Sequence, residues 1–335
     1  MSQTRLKLLF SVVQNANAIL ILPHNDPDPD AIAGVVALRY LLAQKTGIEA
    51  TIAYQGIIGR AENRAMVRYL DYPLKPLEKA HTDPVSHVIF VDTQPGTGNN
   101  PWTPDMQVTA VIDHHPWQAE TAHAAFFDVR SNSGSASTIL TEYLQDAGLK
   151  ISSTLATALF YGIKTDTRGL SREVSQADKN AYYYLQPHIN PEALADIERA
   201  QVSAAYFKVF ADTLAKTHIY DHVTIALIET MDYPDMAAEM ADLLARLENV
   251  EWVVCMGQHK KTLFLAVRAP GRTGDAGKVI QHIVRQDGSA GGHGTMAGGQ
   301  VPLQHKSLPQ LYAQLKERAF KCFNISPNTI GQPLI

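Results

Sequence analysis

The chain has 335 residues, enough for two domains with cores of their own. Its formal net charge of −4 excludes the basic footprint of a protein that grips long duplex DNA. The cysteines, Cys255 and Cys322, lie too far apart for thiolate metal-ligand spacing and suit a reducing, cytoplasmic setting, and no run reads as a signal peptide or a membrane span.

Residues 4–14 read as a short amphipathic helix. Residues 18–22 are continuous, apolar and short, which predicts a buried strand. That run leads into His24-Asn25-Asp26-Pro27-Asp28-Pro29-Asp30. Residues 31–44 follow with helical spacing, and Asp30 is the expected N-cap. A weaker strand is expected at 51–54. Two further strands, 87–91 and 108–112, end at Asp92 and at Asp113-His114-His115. A strand at 125–127 comes next, then helical patterns from 135 to about 186 that include Asp166. This alternation predicts an α/β fold whose N-terminal, mostly parallel sheet is flanked by helices. In such sheets ligands bind outside the carboxyl ends of the strands, where these polar clusters fall.

After Asn190-Pro191 the pattern changes. Residues 192–216 read as a helical connector between a domain at 1–191 and a second at 217–335. The second has a strand at 223–229, a helix at 234–247, strands at 251–257 and 262–268, and a helix at 275–285. A Gly-rich loop at 288–299 and a last helix at 307–321 complete a smaller α/β domain.

The polar clusters suit metal binding. Pro27 and Pro29 stiffen the loop that carries His24, Asp28 and Asp30. Three potential ligands in seven residues suit two ions better than one. Imidazole and carboxylate without thiolate favour Mn²⁺ over a structural Zn²⁺. Two such ions about 3.5–4 Å apart can clamp the attacking and leaving oxygens of a phosphoryl transfer. One carboxylate must bridge them, and Asp92 is the candidate. The glycines of Ser289–Gly294 let backbone N–H groups approach an anion.

Taken together, His24-x3-Asp28-x-Asp30-Ala31, Val91-Asp92-Thr93, Asp113-His114-His115, Thr165-Asp166-Thr167 and Gly291-Gly292-His293-Gly294 resemble the DHH–DHHA1 phosphoesterases of the RecJ-like superfamily, over nearly the whole chain. The resemblance implies a DHH catalytic domain, a DHHA1-type substrate-binding domain and an active site in the cleft between them. It implies that His24, Asp28 and Asp92 hold one ion, and that Asp30, Asp92, His114 and Asp166 hold the other. Asp113 would orient a ligand imidazole, and His115 would contact the scissile phosphate or support the ligands. Arg268, Gly291, Gly292, His293 and Gly294 would bind substrate.

The activity so implied is that of the nanoRNase and 3′-phosphoadenosine 5′-phosphate phosphatase branch. It is a Mn²⁺-dependent exonuclease-like phosphodiesterase, with Mg²⁺ or Co²⁺ as substitutes, in which two metals activate water to cut short oligonucleotides to nucleoside 5′-monophosphates. The alternatives are 3′-phosphoadenosine 5′-phosphate, a linear or cyclic dinucleotide, or, from another class, a nucleotide-binding protein without turnover. Polyphosphate fits less well. The expected partners are a short oligonucleotide or nucleotide and, by resemblance, a second copy in a homodimer. No membrane and no long duplex DNA are expected.

Overall fold

The computed structural model describes residues 2–72, 74–79, 87–172, 174–271 and 274–335, in two compact units, Met1–Ala200 and Gln201–Ile335. The first unit opens with α1 (Ser2–Val13), β1 (Ile19–Leu22), α2 (Pro29–Thr46), β2 (Ala50–Tyr54) and α3 (Ala61–Leu70). It continues through β3 (Lys75–Pro76), β4 (His87–Val91), β5 (Ala110–Asp113), β6 (Phe126–Val129) and α4 (Ala136–Asp146). Helices α5 (Ser153–Asp166), α6 (Gln176–Leu185) and α7 (Pro191–Glu198) close it.

All strand pairs of this sheet are parallel, in the order β3-β2-β1-β4-β5-β6. The chain therefore starts in the middle at β1, works outward to β3, and crosses back to lay β4 on the other side of β1. The loops after β1 and β4 leave in opposite directions, and this reversal opens a crevice at the carboxyl ends of those strands. β1 is buried on both faces, which is why it is apolar without alternation. Ile19 and Ile21 join the core built with Leu38 and Leu41 of α2 and Leu159 of α5. Leu20 and Leu22 join Phe90 and Val111 on the other face.

The second unit runs α8 (Ala204–Ala215), β7 (His218–Tyr220), β8 (Val223–Ile228), α9 (Met236–Leu244), β9 (Trp252–His259) and β10 (Thr262–Arg268). It ends with α10 (Ala276–Val284), β11 (Ser289–His293), β12 (Met296–Pro302), α11 (Leu308–Cys322) and β13 (Gln332–Pro333). Its sheet is ordered β11-β12-β10-β9-β8-β7-β13. Strands β8 and β9 are parallel, and the other pairs are antiparallel. Ile280 and Ile283 of α10 and Leu311 and Leu315 of α11 bury their side chains with Val254 and Leu265 of the sheet.

Three expectations change. The N-cap of α2 is Asp28, whose side chain accepts from Ala31 N, while Asp30 lies inside the first turn. The cause is Pro29, which has no N–H to lose at the first helical position and starts the helix early. The glycine segment is a hairpin of β11 and β12 rather than a loop, because glycine backbones pair in a ladder as well as any other. The stretch 192–216 is two helices, α7 in the first unit and α8 in the second. Among the described residues no helix is long and apolar enough to cross a membrane.

Helix α2 lies close on β4 because residue 34 is glycine: a Cβ there would stand 2.8 Å from Cγ1 of Val91, next to Asp92. Gly34→Ala is therefore expected to destabilise the protein by about 1–3 kcal/mol through overpacking. The measurement is the urea midpoint at constant slope, and an unchanged or higher midpoint would contradict this packing.

Candidate metal centre

The side chains in question all leave from the carboxyl edge of the first sheet or from helix ends beside it. His24 and Asp28 sit in the loop after β1, and Asp30 in the first turn of α2. Asp92 follows β4, Asp113 ends β5, and His114 and His115 follow it. Asp166 is the last residue of α5. Asp92 turns the chain with φ of 61°, a left-handed conformation that Asp and Asn tolerate better than other side chains. Helix α5 comes close to this edge at Gly162, where a Cβ would lie 2.5 Å from Ser137 Oγ and 3.1 Å from Asp30 Oδ1.

Three groups of potential ligand atoms result, His24 with Asp28 and Asp92, Asp30 with His114 and Asp166, and Asp92 with His114 and His115; within each, the atoms lie within 4.8 Å of one another. His24 Nε2 is 3.7 Å from Asp28 Oδ1 and 3.5 Å from Asp92 Oδ2. His114 Nε2 is 3.3 Å from Asp92 Oδ1, 3.3 Å from Asp166 Oδ2 and 3.9 Å from Asp30 Oδ2. Asp92 thus turns Oδ2 toward His24 and Oδ1 toward His114. Asp92 Oδ1 and His114 Nε2 are buried and make no hydrogen bond among the described residues. Buried polar atoms are nearly always paired, and these two are a carboxylate oxygen and an imidazole nitrogen aimed at shared space. The donor set and the orphaned atoms fit a divalent cation.

The rings are oriented from behind. His24 Nδ1 lies 2.8 Å from Asn25 O, and His114 Nδ1 lies 3.2 Å from Ser133 O. A carbonyl can only accept, so each Nδ1 donates and each Nε2 is left for a cation. His115 Nδ1 likewise donates to Asp113 Oδ1 at 2.9 Å. Its distance of 3.6 Å from Asp92 Oδ1 therefore does not make it a ligand, although it too stands near Asp92 and His114.

Crowding shifts the titrations. Burial opposes the charged form of His24, but Asp28 and Asp92 raise its pKa well above the usual imidazole range. His114 is raised in the same way against burial by Asp166 and Asp92. Burial and the charges of Asp92 and Asp166 push Asp30 well above the usual carboxyl range, and burial and Asp28 raise Asp166. Asp113 goes the other way: His115 overcomes burial and holds it at about 2.

Sequence reasoning missed Gln94. It is fully buried, and it donates from Nε2 to Asp113 Oδ2 at 2.6 Å and to Pro116 O at 3.1 Å. Its Oε1 accepts from Gln118 N and Thr121 Oγ1. It thereby fixes the carboxylate that fixes His115. The available signal was an amide two residues past Asp92. Asp26 is bonded elsewhere, accepting from Ile57 N at 2.6 Å. Asn63 of α3 supports the ligand loop by donating to Pro27 O.

In the second unit Arg268 ends β10. It is buried and paired through Nε with Asp242 Oδ1 at 2.6 Å. Gly291, Gly292 and the backbone of His293 lie in β11, and the side chain of His293 is outside the described residues. Gly292 has φ of 145°, and Gly294 in the turn has 53°. Gly292 and Gly294 line a cavity of about 440 Å³ together with Asp275, Gly277 and Lys278 at the start of α10.

Residues 18–163 match the family described as "DHH family, N-terminal domain". The chain is 32% identical over 286 residues to an uncharacterized protein of Methanocaldococcus jannaschii, a match covering 85% of this chain and 58% of that one. It is 22% identical over 295 residues to the A-adding tRNA nucleotidyltransferase of Geobacter sulfurreducens, covering 84% and 32%. These two proteins are thus much longer than the stretch this chain spans. It is 24% identical over 254 residues to a probable manganese-dependent inorganic pyrophosphatase of Streptococcus pyogenes, covering 70% and 75%. An exopolyphosphatase-related protein from Bacteroides fragilis shares the fold, with a TM-score of 0.74 and 12% identity over 95% of this chain and 96% of that one.

Because His24, His114 and Asp30 hold protons more tightly than usual in the metal-free protein, a cation must displace them. Affinity for Mn²⁺ is expected to fall as pH drops through their raised pKa values and to plateau above them. Calorimetric titration in buffers of different ionisation enthalpy should show net proton release near neutral pH. A heat independent of buffer would count against this centre.

Proposed function

We propose, from the match of residues 18–163 to the DHH family's N-terminal domain, that the chain is a metal-dependent phosphoesterase of that family that uses a pair of Mn²⁺ ions to cut short oligonucleotides to nucleoside 5′-monophosphates. One observation carries this reading: ligand groups meet at Asp92, whose Oδ1 is buried 3.3 Å from Nε2 of His114, and neither atom makes a hydrogen bond among the described residues. His24, Asp28 and Asp92 would hold one cation, and Asp30, Asp92, His114 and Asp166 the other. Divalent cations bound there supply Lewis acidity, which lowers the pKa of water and neutralises charge on a phosphoryl group.

The remaining work falls to the protein. Asp113, ionised under the pull of His115, accepts from Nδ1 of that ring and fixes its orientation. Burial and His114 lower the pKa of His115, but Asp113 and Asp92 together raise it above the ordinary value. His115 is proposed to contact the scissile phosphate from this position. Gln94 keeps Asp113 from turning away. In the second unit, Gly291, Gly292, His293 and Gly294 are proposed to hold a substrate phosphate, with N–H groups unobstructed by side chains and the N-terminus of α10 close by. Arg268 would join them only by loosening its pairing with Asp242. The net charge of −4 suits short substrates better than long polymers.

The Streptococcus pyogenes relative favours a second reading, with inorganic pyrophosphate as substrate. The purified protein with Mn²⁺ should be assayed on two- to five-residue oligonucleotides, 3′-phosphoadenosine 5′-phosphate and pyrophosphate. Mononucleotide release from the short oligomers is expected, and phosphate release from pyrophosphate alone would replace this reading with the second. Nucleotide binding without turnover of any compound would make the protein a non-catalytic binder.

Two variants test the parts. Asp92→Asn keeps the left-handed turn and should fold, yet bring turnover to background. Gly291→Val adds a side chain where nothing lies within 4 Å of a Cβ, so the hairpin should stand while the approach of an anion is blocked. It should raise KM by about tenfold, ~1.4 kcal/mol, while Mn²⁺ affinity stays at the wild-type value.

A further inference from the structure

We infer that Asp178 is a positioning residue for the cation site of Asp30, His114 and Asp166, although it lies outside every motif that carries those ligands. This rests on the metal-centre reading above.

Asp178 is fully buried at the start of α6, where it completes a capping box with Ser175. Its carboxylate accepts from Ser175 N at 2.7 Å, the one contact that the capping box asks of it, and from Ser175 Oγ at 2.6 Å. Three more donors come from a distant segment. Gly134 N donates to Oδ2 at 2.9 Å, Thr138 Oγ1 to Oδ1 at 2.6 Å, and Ser133 Oγ to Oδ1 at 3.2 Å. A carboxylate only accepts, so all five contacts are of one kind and leave little capacity unused.

The segment so gripped, residues 133–138, is the one that touches the metal ligands. Ser133 O accepts from Nδ1 of His114 and thereby sets its Nε2. Ala136 N and Ser137 N donate to Asp30 Oδ2 and Oδ1 at 2.6 and 2.8 Å. These are free N–H groups of the first turn of α4, so Asp30 is held by a helix start that Asp178 holds in turn. One fully buried carboxylate thus fixes the partners of two ligands of the same site. The other group shares none of these partners: His24 is set by Asn25 O, and Asp28 by Ala31 N.

The prediction is accordingly site-selective. Removing the Asp178 carboxylate should weaken one cation site and spare the other, whereas a general loss of stability would weaken both or neither. The experiment is Mn²⁺ titration of the full chain by calorimetry and electron paramagnetic resonance. Asp178→Asn replaces two acceptor oxygens by one oxygen and an NH₂ that faces donors. The wild type should bind two ions, and the variant should bind one of them 10- to 100-fold more weakly, about the range for a residue behind a metal ligand. In a His24→Asn background, which leaves the His114 site, the same loss should appear. In a His114→Asn background it should vanish.

Thr138→Val removes the shortest of the segment's donors to Asp178 while keeping the shape of the side chain, and it decides the matter if Asp178→Asn does not fold. It should give a smaller loss at the same site, and Thr138→Ser should restore binding. Wild-type affinity at both sites in Asp178→Asn, or in Thr138→Val when the first variant is unfolded, overturns the inference and leaves the metal centre standing. Failure of the wild-type chain itself to bind two ions overturns the metal-centre reading and the inference with it.

Discussion

Like charges packed at one sheet edge are the constraint on which the first unit depends. Asp30, Asp92 and Asp113 are buried, and Asp28 and Asp166 stand among the same imidazoles. Burying a carboxylate costs several kcal/mol unless something compensates it. The protein supplies part of the compensation itself: two N–H groups for Asp30, one for Asp28, and an amide and an imidazole for Asp113. Asp92 Oδ1 receives none. Beside it stands the imidazole of His114, 3.3 Å away, so the compensation there is left to a neighbouring ring or to a cation.

Much of this was legible in the amino-acid sequence because the signals are local. A strand buried on both faces reads as an unbroken apolar run, so β1, β4 and β5 could be found, and the polar residues just after them had to lie at one edge. What was not legible depends on residues far apart. The start of α2 moved from Asp30 to Asp28 because a proline at the first helical position outweighs the capping preference of the residue that follows it. The fate of Asp30 could not be read locally, since its partners Ala136 and Ser137 belong to another helix. Gln94 and Asp178 were overlooked because buried polar residues that support ligands follow no spacing rule of their own; Asp178 leaves only a capping box, a signal normally read as helix punctuation.

The second unit shows the converse error. A glycine-rich stretch was expected as a loop, since glycine is disfavoured in strands. It is an edge hairpin with a φ of 145° at Gly292, a conformation closed to residues with side chains. Here glycine serves both the ladder and the close approach of α10, where a Cβ on Gly277 would meet Gly292 O at 2.2 Å. Composition alone cannot separate a floppy glycine segment from a tightly packed one.

The left-handed turn at Asp92 leaves this position almost no freedom to drift. Glycine would relax the backbone and discard the carboxylate. Glutamate would keep the charge but sit poorly at a φ of 61° and reach too far. Asparagine would suit the turn and lose the anion. Backbone geometry and electrostatics select the same residue for unrelated reasons, so among descendants of this chain every single-step substitution there sacrifices at least one of the two.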